Sequence, residues 1–114
     1  MTVSILMSVY NGASTLSAAI DSVLTQTYRD FEFIICDDAS SDESWEILCT
    51  YQKRDPRIQL LRNDQNCGLA ASLNHCLKAA KGQYIARQDA DDVSDPERLE
   101  RTLQYQIDHD LPYV

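Results

Sequence analysis

The chain has 114 residues, 44% of them hydrophobic, and a formal net charge of −8. That is one domain's worth of residues, with apolar material enough for a core but little room to hold two substrates. The ten lysines and arginines are scattered, so no basic patch exists to grip a phosphate backbone, and nucleic acid is excluded as a partner.

Residues 3–9 form an apolar run rich in β-branched side chains and predict a buried strand. Residues 13–25 carry Leu16, Ala19, Ile20, Val23 and Leu24 at helical spacing. Residues 31–36 (Phe-Glu-Phe-Ile-Ile-Cys) read as a second strand. Residues 44–53 read as a helix, with Ile47, Leu48 and Tyr51 on one side and Asp42 as its candidate cap. A short third strand is expected at 57–61. The helix over 69–80 is expected to bury Leu69, Leu73, Cys76 and Leu77, and Gly82 is the expected left-handed residue that stops it. A fourth strand follows at 84–87. Asp95-Pro96-Glu97 is a helix start, with Asp as cap, Pro in the first turn and Glu beside the positive end, and that helix runs to about Asp108. After a break at 108–112, Tyr113-Val114 reads as the beginning of a fifth strand, so the chain is expected to stop inside a domain.

Strands separated by single helices predict βαβ units: an α/β fold with a mainly parallel sheet, flanking helices and right-handed crossovers. Ligands of such sheets bind beyond the carboxyl ends of the strands. Four loops lie there: Tyr10-Asn11-Gly12, Asp37-Asp38-Ala39-Ser40-Ser41-Asp42, Asn63-Asp64-Gln65-Asn66-Cys67-Gly68 and Gln88-Asp89-Ala90-Asp91-Asp92. Carboxylates crowded on one edge repel each other unless a cation or protons neutralise them. Every candidate ligand is an oxygen, which favours Mg²⁺ or Mn²⁺, with substrate phosphates completing the shell. In Asp89-Ala90-Asp91 one carboxylate can meet the metal and the other a metal-bound water or a ribose hydroxyl. The plain alternative is a solvated acidic loop capping the next helix; Asp37 and Asp38 on the same edge favour the metal.

Asp37 and Asp38 admit two readings, ordinary turn chemistry or acceptors for a base or ribose. Tyr10 could stack on a base or cover the sheet edge. Gly12 and Gly68 read as turn and helix-entry glycines. With three glycines and neither G-x-G-x-x-G nor G-x-x-x-x-G-K-[ST], the chain has no Gly-rich phosphate cradle, so phosphate charge falls to a metal. Cys36, Cys49, Cys67 and Cys76 form no C-x-x-C pair and read as reduced, mostly buried thiols of a cytosolic protein. His75 and His109 do not complete a zinc site. Neither a basic leader with a cleavage site nor an apolar run of roughly 20 residues is present.

Four blocks, in order, resemble the inverting family 2 glycosyltransferases: Val3-Ser-Ile-Leu-Met-Ser-Val-Tyr-Asn11, Gln26-Thr-Tyr-Arg-Asp-Phe-Glu-Phe-Ile-Ile-Cys-Asp-Asp38, Asn66-Cys-Gly-Leu-Ala-Ala-Ser-Leu-Asn74 and Gly82-Gln-Tyr-Ile-Ala-Arg-Gln-Asp-Ala-Asp-Asp92. The resemblance covers nearly the whole chain. It implies the GT-A fold, a Rossmann-like α/β sandwich, here apparently truncated, that binds a nucleoside diphosphate sugar, most often a UDP-sugar. It implies a nucleotide-binding set of Ser8, Val9, Tyr10, Asp37, Asp38 and Asp89, with Tyr10 against uracil and Asp38 on the base or ribose. The implied metal ligands are Asp91 and Asp89. Ser8 stands where Pro or Thr is frequent, at a contact made largely by main chain. The family's general base is an acidic residue in the acceptor half, expected beyond Val114, so this piece alone is expected to be inactive or nearly so. A saccharide or lipid-linked acceptor is implied, with a cytoplasmic setting at the inner face of the cell membrane.

Other classes fit less well. A Mg²⁺-binding receiver domain would need an acidic pair after strand one and a phosphoacceptor Asp after strand three; Ser-Val-Tyr and Arg-Asn stand there instead. A sugar nucleotidyltransferase would need a Gly-rich basic loop after strand one. A non-catalytic nucleotide-binding module remains a reading. An unpaired flank beside the fourth strand would favour a homodimer.

Overall fold

The most apolar strand of the sequence lies inside the sheet. β1 (Val3–Val9) pairs in parallel with β2 (Phe31–Asp37) on one side and with β4 (Tyr84–Arg87) on the other. β2 pairs in parallel with β3 (Ile58–Arg62), giving the order β3-β2-β1-β4. The computed structural model describes residues 2–109. Helices α1 (Ala13–Leu24), α2 (Ser44–Arg54), α3 (Leu69–Ala79) and α4 (Arg98–His109) complete it. The expected α/β architecture with a parallel sheet holds, and the predicted elements fall within a few residues of the observed ones. The expected fifth strand at Tyr113-Val114 lies outside the described residues.

Alternation along the strands sends successive side chains to opposite faces, and both faces are covered. Val3, Ile5, Met7 and Val9 join Phe31, Phe33 and Ile35 against α1 (Leu16, Ile20, Val23), α2 (Leu48, Tyr51) and α4 (Leu99, Leu103). Leu6, Ile34 and Cys36 pack against Cys76 of α3 on the other face. Each large apolar side chain so buried contributes about 1.5–3 kcal/mol relative to exposure. α3 corrects the expectation made for it. Its fully buried residues are Ser72 and Cys76, and Leu73 is half-buried, while Leu69 and Leu77 are exposed.

Two local features also differ from expectation. Asp37 is the last residue of β2, paired with Val9 and Arg62, rather than the first residue of the loop. Gly82 does not adopt the left-handed conformation; among the glycines only Gly68 does, with φ 93°. α3 ends instead through an extended Ala80, and Gly82 is required by proximity. A Cβ there would lie 2.6 Å from Ser4 Oγ, 2.7 Å from Ser4 N and 2.8 Å from Thr2 O. The turn is fastened where it crosses β1 and β2: Lys81 N donates to Glu32 Oε2 at 2.6 Å, Gly82 N donates to Ser4 Oγ at 2.8 Å, and Ser4 Oγ donates to Glu32.

The chain runs β1, β2, β3 in one direction across the sheet and then crosses back, so β4 lies on the far side of β1. That reversal opens a crevice between the carboxyl ends of β1 and β4. The order also differs from the 2-1-3-4-5 arrangement of receiver-like sheets, which removes that alternative.

Replacing Gly82 by Ala is expected to destabilise the fold by about 1–3 kcal/mol, because two of the three close atoms are backbone. Gly12→Ala, whose Cβ would meet nothing nearer than Val9 Cγ1 at 3.5 Å, is expected to stay within about 0.5 kcal/mol of the parent. Urea unfolding of the two variants checks the contrast.

Candidate functional site

The crevice between β1 and β4 is a cleft of about 460 Å³, with Ser8, Tyr10, Asn11, Thr15, Leu69, Arg87, Asp89 and Asp91 in its walls. Of the residues expected to act, it brings together Ser8, Tyr10, Asp89 and Asp91. Tyr10 and Leu69 are both more than half exposed, so two apolar groups face a polar cleft. Gly68, in its positive-φ conformation, turns the chain into α3 and presents Leu69, the helix's first residue.

Asp89 and Asp91 differ in their surroundings. Asp89 Oδ1 is 3.1 Å from Nε and 3.1 Å from Nη2 of Arg87, an exposed pair. The Asp91 carboxylate is exposed and has no hydrogen-bond partner among the described residues. Among the described residues, no group of three or more His, Cys, Asp or Glu side chains could hold a metal. The turn's backbone is fixed from two sides. Thr15 Oγ1 of α1 donates to Ala90 O at 2.9 Å. Gln88, only 3% exposed, donates from Nε2 to Asp89 O at 3.2 Å and Asp92 O at 2.9 Å.

Val9, Asp37 and Asp38 do not line this cleft. Val9 is fully buried, and its carbonyl accepts from Asp38 N at 2.8 Å. Asp37 is fully buried at the end of β2. Its Oδ2 accepts from Ser40 N at 3.3 Å and lies 3.8 Å from Arg62 Nε, while Oδ1 has no partner among the described residues. Ala39, with φ 60°, turns the chain so that Ser40 N points back to Asp37. Asp38 is 2% exposed and satisfied by the loop after β3: Asn63 Nδ2 at 2.9 Å, Cys67 N at 2.7 Å and Gly68 N at 3.0 Å. Burial pushes its pKa up, but the Cys67 amide, the Asn63 side chain and the Gly68 amide outweigh that and hold the carboxyl below its usual range. Asp38 therefore ties the end of β2 to the entry of α3 and so fixes Leu69 at the cleft.

Three residues organise this edge, two of which, Asn11 and Gln88, sequence reasoning left without a role. Asn11, with φ 49°, accepts through Oδ1 from Ser41 N at 2.8 Å and Asp42 N at 3.3 Å, joining the β1 loop to the β2 loop. Asp42 caps two helix starts: Oδ1 accepts from Ser44 N at 2.9 Å and Oδ2 from Ala13 N at 3.1 Å, so its expected capping of α2 is half of what it does. Gln88 is the third. The only available signals were an Asn in a turn and an amide next to an acidic run.

Replacing Asp38 by Asn leaves one acceptor oxygen for three donors, and about 2 kcal/mol of stability is expected to go, read as a lower urea midpoint. The native Asp38 pKa lies below the unfolded one, so its contribution is complete above about pH 4 and fades as pH falls through the lower native value. Acidification from about pH 7 to about pH 3 is therefore expected to cost the parent more than Asp38→Asn.

Against known proteins, the family model described as glycosyl transferase family 2 matches residues 4–114. The provisionally named glycosyltransferase EpsE of Bacillus subtilis is 48% identical over 108 residues, covering 94% of this chain and 39% of that protein. The Escherichia coli protein WfgD, named a UDP-Glc:alpha-D-GlcNAc-diphosphoundecaprenol beta-1,3-glucosyltransferase, is 39% identical over 113 residues, covering 98% of this chain and 44% of that one. The chain thus spans about two fifths of the length of these relatives. Among solved structures, the mannosyltransferase PcManGT from Pyrobaculum calidifontis, in complex with GDP-Man and Mn²⁺, superposes with a TM-score of 0.86 at 23% identity over 91% of this chain and 32% of that one. The fold is accordingly the GT-A type, and by a family match over nearly its whole length the chain belongs to glycosyl transferase family 2.

Proposed function

We propose that the chain is the donor-binding region of a glycosyltransferase that moves a sugar from a nucleoside diphosphate, UDP first among them, to an acceptor hydroxyl. The observation that carries this reading is the cleft at the β1–β4 reversal, where an exposed aromatic ring and a leucine stand across from two exposed carboxylates. Tyr10 stacks on the base with Leu69 beside it, and Ser8 forms the floor, with Val9 buried behind it. Asp89 meets the ribose and shares a cation with Asp91. Asp37 and Asp38 act from behind the cleft without lining it, Asp38 by holding the Gly68-Leu69 corner in place.

The donor set fits Mg²⁺ or Mn²⁺. Two carboxylates on one turn supply hard oxygen ligands, and they leave most of the coordination shell to phosphate oxygens and water. When bound, such a cation neutralises charge on the departing diphosphate. Arg87, already paired with Asp89, offsets the repulsion inside the acidic turn. The UDP-Glc in the name of the E. coli relative supports UDP, because that likeness is much stronger than the one to the GDP-Man structure. The same name supports a lipid-linked sugar as acceptor, and we place the reaction at the cytoplasmic membrane face. No helix among the described residues is long and apolar enough to cross a membrane.

Calorimetry tests the reading. UDP is expected to bind about tenfold or more tightly with Mn²⁺ than without, a gain of about 1.4 kcal/mol. Asp91→Asn is expected to remove that gain and leave metal-free binding unchanged. Tyr10→Ala is expected to weaken UDP by about 1–3 kcal/mol with or without metal. UDP binding indifferent to Mn²⁺, or an Asp91→Asn protein that binds as the parent does, overturns it.

A further inference from the structure

The acidic turn is exposed, short and negatively charged, yet its backbone is held by a side chain from the interior. Gln88 is the residue directly before Asp89 and is 3% exposed. Both ends of its amide are used, on opposite partners. Nε2 donates to the carbonyls of Asp89 at 3.2 Å and Asp92 at 2.9 Å, the first and last residues of the turn. Oε1 accepts from Arg98 Nη1 at 3.1 Å and from the Ser94 hydroxyl. Arg98 is the first residue of α4, and its Nη2 donates to Arg87 O at 2.7 Å. The α4 entry is itself fastened to α1: Ser94 N donates to Ser22 Oγ at 3.0 Å, and buried Gln26 accepts from Leu99 N at 3.0 Å while donating to Asp95 O at 2.7 Å.

We propose that Gln88 is a positioning residue that pins the Asp89–Asp92 turn to the start of α4 and so sets the direction of the Asp89 and Asp91 carboxylates. This rests on the donor-site reading above. A carboxylate pair on a free turn would spend most of its time out of register with a shared cation. Pinning the carbonyls on either side of Ala90 and Asp91 removes that freedom while leaving the carboxylates themselves in water. The side chain has to be an amide. The turn offers only carbonyls and so needs donors, whereas Arg98 and Ser94 offer donors and so need an acceptor.

The two halves can be separated. Gln88→Glu keeps the acceptor for Arg98 and Ser94, and Arg98 keeps it ionised, but both donors to the turn are lost and a negative oxygen faces two carbonyls. The expected result is a modestly lower melting temperature with unchanged amide exchange at Leu99 and Leu103. Amide exchange at Asp92, whose N–H donates to Asp89 O at 3.1 Å, is expected to rise by about tenfold, as befits two lost hydrogen bonds. UDP binding in the presence of Mn²⁺ is expected to weaken by a similar factor, and metal-free UDP binding, which uses Asp89 alone, by less. Gln88→Glu that matches the parent in turn exchange and in Mn²⁺-dependent binding overturns the proposal. The parent protein alone gives a second check: an Asp92 amide exchanging at the rate of a free peptide would overturn the pinning whatever the variant does. Parent UDP binding indifferent to Mn²⁺ overturns the donor-site reading and the role of Gln88 in it, while the exchange data still decide whether the turn is pinned.

Discussion

Backbone amides left over where strands end and helices begin must find acceptors, and the carboxyl edge of this sheet answers with buried or half-buried aspartates. Asp38 takes the amides of Cys67 and Gly68, and Asp42 takes those of Ala13 and Ser44. Between them these two side chains fasten the starts of three helices to the ends of two strands. The cleft depends on that fastening, since Gly12, Leu69 and the β1 loop all stand on elements whose entry it fixes.

It also changes the meaning of the acidic edge. Crowded carboxylates would need a cation for each cluster if all of them faced water. Here the edge is divided. Asp38 and Asp42 are paired with amide donors, and the hydrogen bonds hold both carboxyls below their usual range. Asp91 keeps its carboxylate exposed and without a partner among the described residues, and Asp89 shares its own with one arginine. Net charge alone could not distinguish the two groups, because the difference lies in which backbone amides point at which oxygen.

Much of the fold was legible for a simple reason. Strands covered on both faces read as mainly apolar runs, and Val3–Val9 and Phe31–Asp37 are such runs, interrupted only by Ser4, Ser8, Glu32 and the terminal Asp37. α3 was legible as a helix but not in its facing: apolar Leu69 and Leu77 face outward, and small Ser72 and Cys76 face the sheet, because close approach to β1 and β2 selects for size over hydrophobicity. Gly82 was legible as a stop but for the wrong cause, since steric proximity to Thr2 and Ser4 depends on a crossing that no local pattern encodes. Of the residues in the cleft, Tyr10, Asp89 and Asp91 were legible from strand ends, and Ser8 only from the family resemblance. Asn11 and Thr15 were not, because their importance lies in long-range partners: Asn11 reaches Ser41 across 30 positions and Thr15 reaches Ala90 across 75. Gln88 was not, because its partners, though local, meet it only once the turn and the entry of α4 fold back on it.

The strand order has a kinetic consequence. Val3 must find Phe31, 28 residues on, to begin the β1–β2 ladder, but Tyr84, 81 residues on, to begin the β1–β4 ladder. Closing the longer loop costs about 1 kcal/mol more in chain entropy, and it joins β1 to the shorter, four-residue strand. The β1–β2–β3 half is thus expected to assemble first and the fourth strand to dock onto it afterwards. Because the cleft lies on that last seam, it is completed only when β4 docks against β1, and a ligand seated there would act as a clasp on the step most easily undone.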